Sequence, residues 1–548
     1  MGRILKVQFP LLNNQVRPYP RAIQRVCGRI RRAAPASAVL GLAALLAACG
    51  GGGPSGQVVE VDGFAGLAAA DEPFAATVGR DILGNGGGAA DAAVAMYFTM
   101  AVTLPSRAGL GGGGVCIVFD REEEAGEVID FRPKTTPGGG VVPGSTRGMA
   151  VLHARRGSQR WEYLLSRAEN RGRFSATYSR ALIRDIETGQ AKLRGDAETA
   201  RILLGPEGAL PREGDKLEQL ELVTVISGIR REGAGYFYAG PFAQRLAEAS
   251  SLAGAAMTTD DVRGYTPQVA EAIKVPVGPH TAFFAPQPAY GGTAGALIWS
   301  LLTELRDYGA ASAEERATLL AAASGTALGA PAAGGNGGAV GLAATQGVFD
   351  QGELQRLKAS YRPEPAGFAG PGAATSEGAG FVVADQWGTA VACSFTMNGL
   401  FGSGRTARGT GLLLAAEARG KAGPTSPVIL ANEHNGEFFF AASAGGGAAG
   451  VAALSTVMLE AVAAERPLPE AVERGRVQAS PPDGTVLIES GLSAGERAAL
   501  AAQGLQVVPV DRLGRVNALH CPRGLRRDPE ACQVVSDPRG WGLARRAE

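Results

Sequence analysis

From about residue 57 onward, short apolar runs rich in β-branched residues alternate with longer alanine-rich stretches whose apolar positions recur at helical spacing. The runs VCIVFD at 115 to 120, FVVAD at 381 to 385 and TAVACSFT at 389 to 396 have the length and residue choice of buried strands. The stretches Ala89 to Val102, Phe242 to Ala253, Thr293 to Leu305 and Val451 to Ala464 read as helices. Strand and helix signals interleave, so the class is mixed α and β. Residues 309 to 350 break the pattern. They are mostly Ala, Gly, Ser and Thr, a composition expected to give a poorly ordered insert because it offers few large apolar groups to a core.

The first 49 residues stand apart. They carry eight basic residues and no acidic one, followed by the apolar stretch Ala33 to Ala48, which is shorter than the ~18 residues a spanning helix needs. This is the layout of an export signal. Its end, Leu46-Ala47-Ala48-Cys49 before a Gly/Ser run, resembles a bacterial lipobox, in which Cys49 becomes the lipidated first residue of the mature chain. The alternative is an ordinary cleaved signal with Cys49 incidental. The lipobox reading implies a membrane attachment through a lipid anchor and a periplasmic or outer-membrane location.

Composition narrows the classes further. Of 548 residues 80 are glycine, about twice the usual share, yet 45% are hydrophobic and no Gly-X-Y period exists. Collagen-like and wholly disordered chains are excluded. The formal net charge of +1 becomes a net acidic charge once the basic leader is set aside, which argues against a nucleic-acid partner. The six cysteines are Cys27, lost with the leader, Cys49, and four in the body. Cys116 and Cys393 fall in apolar strand runs and read as buried core thiols. Cys521 and Cys532 flank a charged loop, where an oxidising compartment favours a local disulfide. No CxxC motif or histidine cluster points to a metal, and His153, His280, His434 and His520 are scattered as surface or structural residues.

Two glycine clusters satisfy the G-x-G-x-x-G spacing. Gly109 to Gly114 runs into a strand, the wrong order for a phosphate-binding turn, and is expected to let two backbones approach closely. Gly445 to Gly450 follows a strand pattern and precedes a helix. Free amides at such a helix start can hold a phosphate or the oxyanion of an acyl-transfer intermediate, and a purely structural turn is the third possibility.

Several segments, taken in order, resemble the gamma-glutamyltransferase (glutathione hydrolase) family of N-terminal nucleophile hydrolases. Gly86-Gly-Gly-Ala-Ala-Asp91-Ala-Ala-Val-Ala is similar to the family's GGNAVDAAVA helix, Leu110 to Gly114 to its LGGGG, Asp130-Phe131-Arg132 to its DFRE, and Val142-Pro143-Gly144 to its VPG turn. Met257 to Asp261 with Tyr265, Pro286 to Gly292, Thr396-Met397-Asn398 with Phe401 to Gly404, and Ser536 to Arg539 continue the series. The resemblance implies an α+β fold, a four-layer αββα sandwich. It also implies a precursor that cuts itself to expose a hydroxyl nucleophile whose own α-amino group is the base, cleaving γ-glutamyl amides such as glutathione without any cofactor. The division implied is a large-subunit-like region over 50 to 374, including the 309 to 350 insert, and a small-subunit-like region over 375 to 548. Residues 50 to 548 together make one folded unit.

Carried over residue by residue, the resemblance gives Arg132 the substrate α-carboxylate, Thr396 the support of the nucleophile, Asn398 a contact to the substrate carboxylate, Glu417 the substrate α-amino group, and Gly445 and Gly446 the oxyanion. The departures are equally specific. In the register set by Gly388 to Val391 and Thr396 to Asn398, the family's nucleophile falls on Gly378, which has no side chain. The nearest hydroxyls are Thr375 and Ser376. The second acid of the amine clamp falls on Gly420, and the paired serines fall on Gly423 and Pro424. Two readings follow: an acyl-transfer enzyme whose nucleophile is Thr375 or Ser376, or a catalytically inactive member acting as a surface binding protein. A nucleotide-dependent enzyme rests on the second glycine cluster alone and lacks the parallel-sheet repeats it needs.

Overall fold

The computed structural model describes residues 63–304, 307–329, 378–418, 427–480 and 485–548. The export-signal region with Cys49, residues 330 to 377 with Thr375 and Ser376, and the positions Gly420, Gly423 and Pro424 lie outside the described residues.

Two antiparallel sheets dominate. The first contains β1 (Gly66–Ala70), β2 (Gly113–Asp120), β3 (Ala125–Asp130), β4 (Gln268–Glu271), β7 (Ala379–Asp385), β8 (Ala390–Thr396) and β16 (Leu543–Ala547), in the order β16-β1-β7-β8-β2-β3-β4. The second contains β5 (Ile273–Val277), β6 (His280–Phe284), β9 (Val428–Asn432), β10 (Glu437–Gly445), β14 (Arg515–His520) and β15 (Gln533–Ser536), in the order β15-β14-β10-β9-β6-β5. Strands from before and after residue 375 contribute to both sheets and interleave in the first. A smaller sheet of β11 (Val477–Ser480), β12 (Thr485–Glu489) and β13 (Gln506–Val510) stands beside the second.

The layering follows from the two-residue period of the strands. In the first sheet, Leu67, Ala69, Val115, Ile117, Val382, Ala384, Ala390 and Ala392 pack against Phe283, Ile429, Ala441 and Leu519 of the second, forming one dry layer between the sheets. The alternate residues Ala68, Cys116, Val118, Phe381, Val383 and Phe395 face a helical layer. That layer includes α1 (Pro73–Gly84), α2 (Ala89–Thr103) and α3 (Arg180–Arg194). Every residue of α2 is buried, which fits its hydrophobic character on all sides. On the far side, Val275, Ala282, Val428, Ala442, Val516 and Ala518 of the second sheet pack on α4 (Tyr290–Thr303), α5 (Ala313–Gly329) and α6 (Ala448–Met458). The order of layers is therefore helix, sheet, sheet, helix. A bulge keeps the parity consistent: the register between β9 and β10 shifts at Leu430/Ala431, so that Phe438 and Ala441 both turn to the dry layer.

Helix α5 overturns part of the expected disordered insert. Residues 313 to 329 form a regular helix whose Leu319, Leu320 and Ala323 join the outer core, while Ala317 and Ala321 pack on the small sheet. Alanine is the strongest helix former, and its small side chain lets neighbouring elements approach, so the composition that looked too thin for a core suits a tightly packed helix. The first glycine cluster does what close backbone approach demands. A Cβ on Gly111 would collide with the Leu413 carbonyl, and one on Gly113 with that of Phe131.

Cys116 and Cys393 are buried, as expected, but they are not free thiols. They face each other across β2 and β8 and are joined in a disulfide, which directly opposed strand positions permit. A second disulfide links Cys521 to Cys532. Next to it, burial pushes the His520 imidazole down to about 4.

Two outcomes are expected from the packing. Leu320→Ala lowers stability by about 2–5 kcal/mol in urea unfolding, the cost of a truncated core leucine; a change near zero means α5 is not part of the core. His520 sits below its unfolded pKa, so the stability it contributes is complete above about 6.5 and is lost as pH falls towards about 4. His520→Gln removes that component from a plot of unfolding midpoint against pH.

Candidate functional site

Followed along the strands, the dry layer changes character at one end. On β8 the inward positions run Ala390, Ala392, Ser394, Thr396; on β7, from the other direction, Ala384, Val382, Gly380, Gly378. On β10 they run Ala441, Ser443, Gly445, and on β14 Leu519, Asn517, Arg515. Asp71 ends β1. The registers bring these ends together: Ser394 lies opposite Gly380, Gly113 opposite Thr396, and Gly445 opposite Arg515. Small and polar residues thus replace aliphatic ones on every central strand at the same end of the sandwich.

The sheets approach there as closely as glycine permits. A Cβ on Gly445 would lie 2.7 Å from both the Gly378 carbonyl and Arg515 Nη2, and one on Gly380 would collide with Ser443 Oγ. The polar groups close on one another. Ser443 Oγ donates to the Cys393 carbonyl at 2.6 Å and lies 2.9 Å from Ser394 Oγ. Asp71 accepts from Asn517 Nδ2 at 3.0 Å and from the Gly380 amide at 3.1 Å. Arg515, fully buried, donates from Nη2 to the Gly378 carbonyl at 2.9 Å and has its Nε 4.0 Å from Asp71. Burial, helped by the nearby positive charge of Arg107, pushes the Arg515 guanidinium down to about 10, so it keeps its charge at neutral pH.

After Gly445 the chain turns through Gly446 (φ 120°) and Gly447 (φ 61°) into α6. Both angles favour glycine. The first amides of α6 have no acceptor within the helix, and the strand, turn and helix order is the one read from the sequence.

Gly378 is the other half of this contact. Its φ is 76°, and a Cβ would meet the Phe395 carbonyl at 2.8 Å. Position 378 is shaped for glycine. Across from it, Thr396 Oγ1 accepts from the Asn398 amide at 2.9 Å. Asn398 is left-handed at φ 54° and donates from Nδ2 to the Ala416 carbonyl at 2.9 Å, which leaves its buried Oδ1 without a hydrogen-bond partner among the described residues. An orphaned acceptor suits an incoming donor. Glu417, next in sequence to Ala416, is exposed.

Arg132 follows β3, where Phe131 pairs with Gly114 of β2, about three strand spacings or roughly 14 Å from Gly378 along the sheet edge. Its Nη2 pairs with Asp130 at 2.6 Å and its Nη1 donates to the Pro288 carbonyl at 2.7 Å, which leaves one N–H on each terminal nitrogen for a ligand. Sequence reasoning missed Arg515, Asn517, Asp71 and Ser443. The signal was available: a charged residue at an inward position of an otherwise apolar strand, as in RVNAL at 515 to 519.

Comparison with known proteins agrees with this architecture. The family model described as Gamma-glutamyltranspeptidase matches residues 75–140 and 133–425. The chain is 30% identical over 251 residues to the glutathione hydrolase proenzyme of Bacillus subtilis, covering 41% of this chain and only 42% of that protein. It is 25% identical over 424 residues to the glutathione hydrolase proenzyme of Escherichia coli, covering 70% of this chain and 73% of the other. Among solved structures, the cephalosporin acylase of Bacillus halodurans superposes with a TM-score of 0.74 at 18% identity, covering 88% of this chain and 96% of that one, a likeness of fold. With the matched regions spanning well over half of its length, this chain belongs to the gamma-glutamyltranspeptidase family.

Proposed function

We propose that this protein cleaves γ-glutamyl amides such as glutathione by acyl transfer to water or to an amino acid acceptor. The observation that carries the reading is the contact between the start of β7 and Gly445, the first residue of the turn into α6, with the buried Arg515 guanidinium against the same backbone position. In this reading the hydroxyl of Thr375 or Ser376 is released at a new N-terminus by self-cleavage. Its proton passes to the free α-amino group as its oxygen attacks the γ-carbonyl carbon. The oxyanion is held by the Gly445 and Gly446 region. Its collapse breaks the amide C–N bond, and the amine leaves with the proton. Water or an acceptor amine then cleaves the ester. Thr396 steadies the strand end, Arg132 takes the α-carboxylate through its two remaining N–H groups, and Asn398 Oδ1 with Glu417 takes the α-ammonium. Cys49 anchors the exported protein to the membrane by lipid, in the periplasm or at the outer membrane, and the division at 374/375 separates the two products of self-cleavage.

A second reading, a non-catalytic pocket that still binds γ-glutamyl compounds, is favoured by one observation, the glycine-specific geometry of position 378. The two readings part on a reducing denaturing gel. The enzyme gives a smaller band whose sequence begins at Thr375 or Ser376, and γ-glutamyl-p-nitroanilide turnover drops by at least about 10²-fold in Thr375→Ala or in Ser376→Ala. Full turnover in both variants removes these residues from the mechanism, and an uncut, inert chain selects the binding protein. Reinstating a hydroxyl at the family's position is expected to fail. Gly378→Thr puts a β-branched residue at positive φ against a carbonyl, costing about 1–3 kcal/mol in urea unfolding with no gain in turnover.

A further inference from the structure

The residue to which the γ-glutamyl reading gives the substrate α-carboxylate stands where the backbone ladder runs out. Phe131 exchanges two hydrogen bonds with Gly114 of β2, at 2.9 and 3.3 Å. Arg132 comes next, and Pro133 after it has no N–H to offer. The backbone of Arg132 is held by side chains instead: its N–H donates to Asp130 Oδ1 at 3.1 Å, and its carbonyl accepts from the Tyr265 hydroxyl at 2.9 Å. The guanidinium donates from Nε and Nη2 to the Asp130 carboxylate and from Nη1 to the Pro288 carbonyl. Asp130 therefore already balances the charge of Arg132. What Arg132 offers a second carboxylate is directed hydrogen bonding rather than net charge, and such a contact forms only when the planar fork is aimed correctly.

Tyr265 is itself fixed. It caps the end of the short helix Thr259–Gly264 and is 5% exposed. Its ring stacks on that of Tyr238 with centroids 6.0 Å apart, and the Tyr238 hydroxyl donates to the Pro143 carbonyl at 2.9 Å. The Arg147 guanidinium lies 4.1 Å over the Tyr238 ring and donates to the carbonyls of Arg263 and Tyr265. The packing leaves no slack: a Cβ on Gly144 would lie 2.0 Å from the Phe131 carbonyl and 2.3 Å from the Tyr265 hydroxyl. Burial pushes that hydroxyl above the ordinary phenol range, so it stays a neutral donor.

We propose that Tyr265 is a positioning residue for substrate recognition: by holding the Arg132 carbonyl it aims the two remaining guanidinium N–H groups at the α-carboxylate. This rests on the γ-glutamyl reading above and specifies what sets the selectivity of that site. Tyr265→Phe isolates the effect, because it keeps the ring that stacks on Tyr238 and removes only the oxygen that holds Arg132.

Isothermal titration of the full chain with L-glutamate and with 4-aminobutyrate tests it. The two ligands differ by the α-carboxylate, and neither carries an amide to cleave. The wild type is expected to bind glutamate at least about tenfold more tightly than 4-aminobutyrate. Tyr265→Phe weakens glutamate about fivefold and leaves 4-aminobutyrate as it was. Arg132→Gln abolishes the preference, and adding Tyr265→Phe to that variant changes nothing further, because the tyrosine acts through the arginine. Glutamate affinity unchanged in Tyr265→Phe, equal loss for both ligands, or the same fivefold loss in the Arg132→Gln background overturns the positioning role. A wild type that binds neither ligand, or both alike, removes the γ-glutamyl reading and the inference with it, and that outcome is seen before any variant is made.

Discussion

The structure depends on one constraint: at one end of the sandwich the two sheets must approach to glycine distance while enclosing charged and hydroxyl groups. Aliphatic side chains hold the sheets apart elsewhere, and any of them at 378, 380 or 445 would pry the layer open. Polar groups in so dry a place are tolerated only when they satisfy one another. Asp71, Asn517 and Arg515 pair in this way across both sheets, from chain positions more than 400 residues apart, with Asn517 Oδ1 left without a partner among the described residues. Removing any one member leaves the others buried and unmatched, which is costlier than losing a contact at the surface. The polar cross-link and the glycine notch therefore depend on each other.

The same arrangement sets the electrostatics. A retained positive charge on Arg515, together with the α6 amides, makes the neighbourhood of Gly378 favourable to negative charge. Further along the edge, Asn398 presents an acceptor and Arg132 a pair of donors.

Much of this was legible in the chain. Short β-branched runs and the helical stretches fell where strands and helices form because burial on one or both faces enforces those periods, as in β7, β8 and α2. The 445–450 glycines were legible as a strand, turn and helix. Helix α5 was not, since its many alanines carry little periodic contrast and tertiary packing shows which face is inside. The Arg515 network was missed for a related reason: a lone polar residue in a strand gains meaning only when its partners from β1 and β7 are brought beside it. The Cys116–Cys393 pairing joins residues 277 positions apart and depends on which strands become neighbours, a long-range fact that local pattern does not encode.

That pairing has a consequence for any severed form of the molecule. Cys116 and Cys393 stand on opposite sides of residues 375 and 376, so a backbone break there leaves both fragments fastened through sulfur. Dilution does not separate such halves in an oxidising compartment, because reassociation is intramolecular. The two fragments would come apart only after a reductant reached a bond sealed between β8 and the helical layer, so the thiol poise of the surroundings, and not the protein's concentration, would govern whether they part.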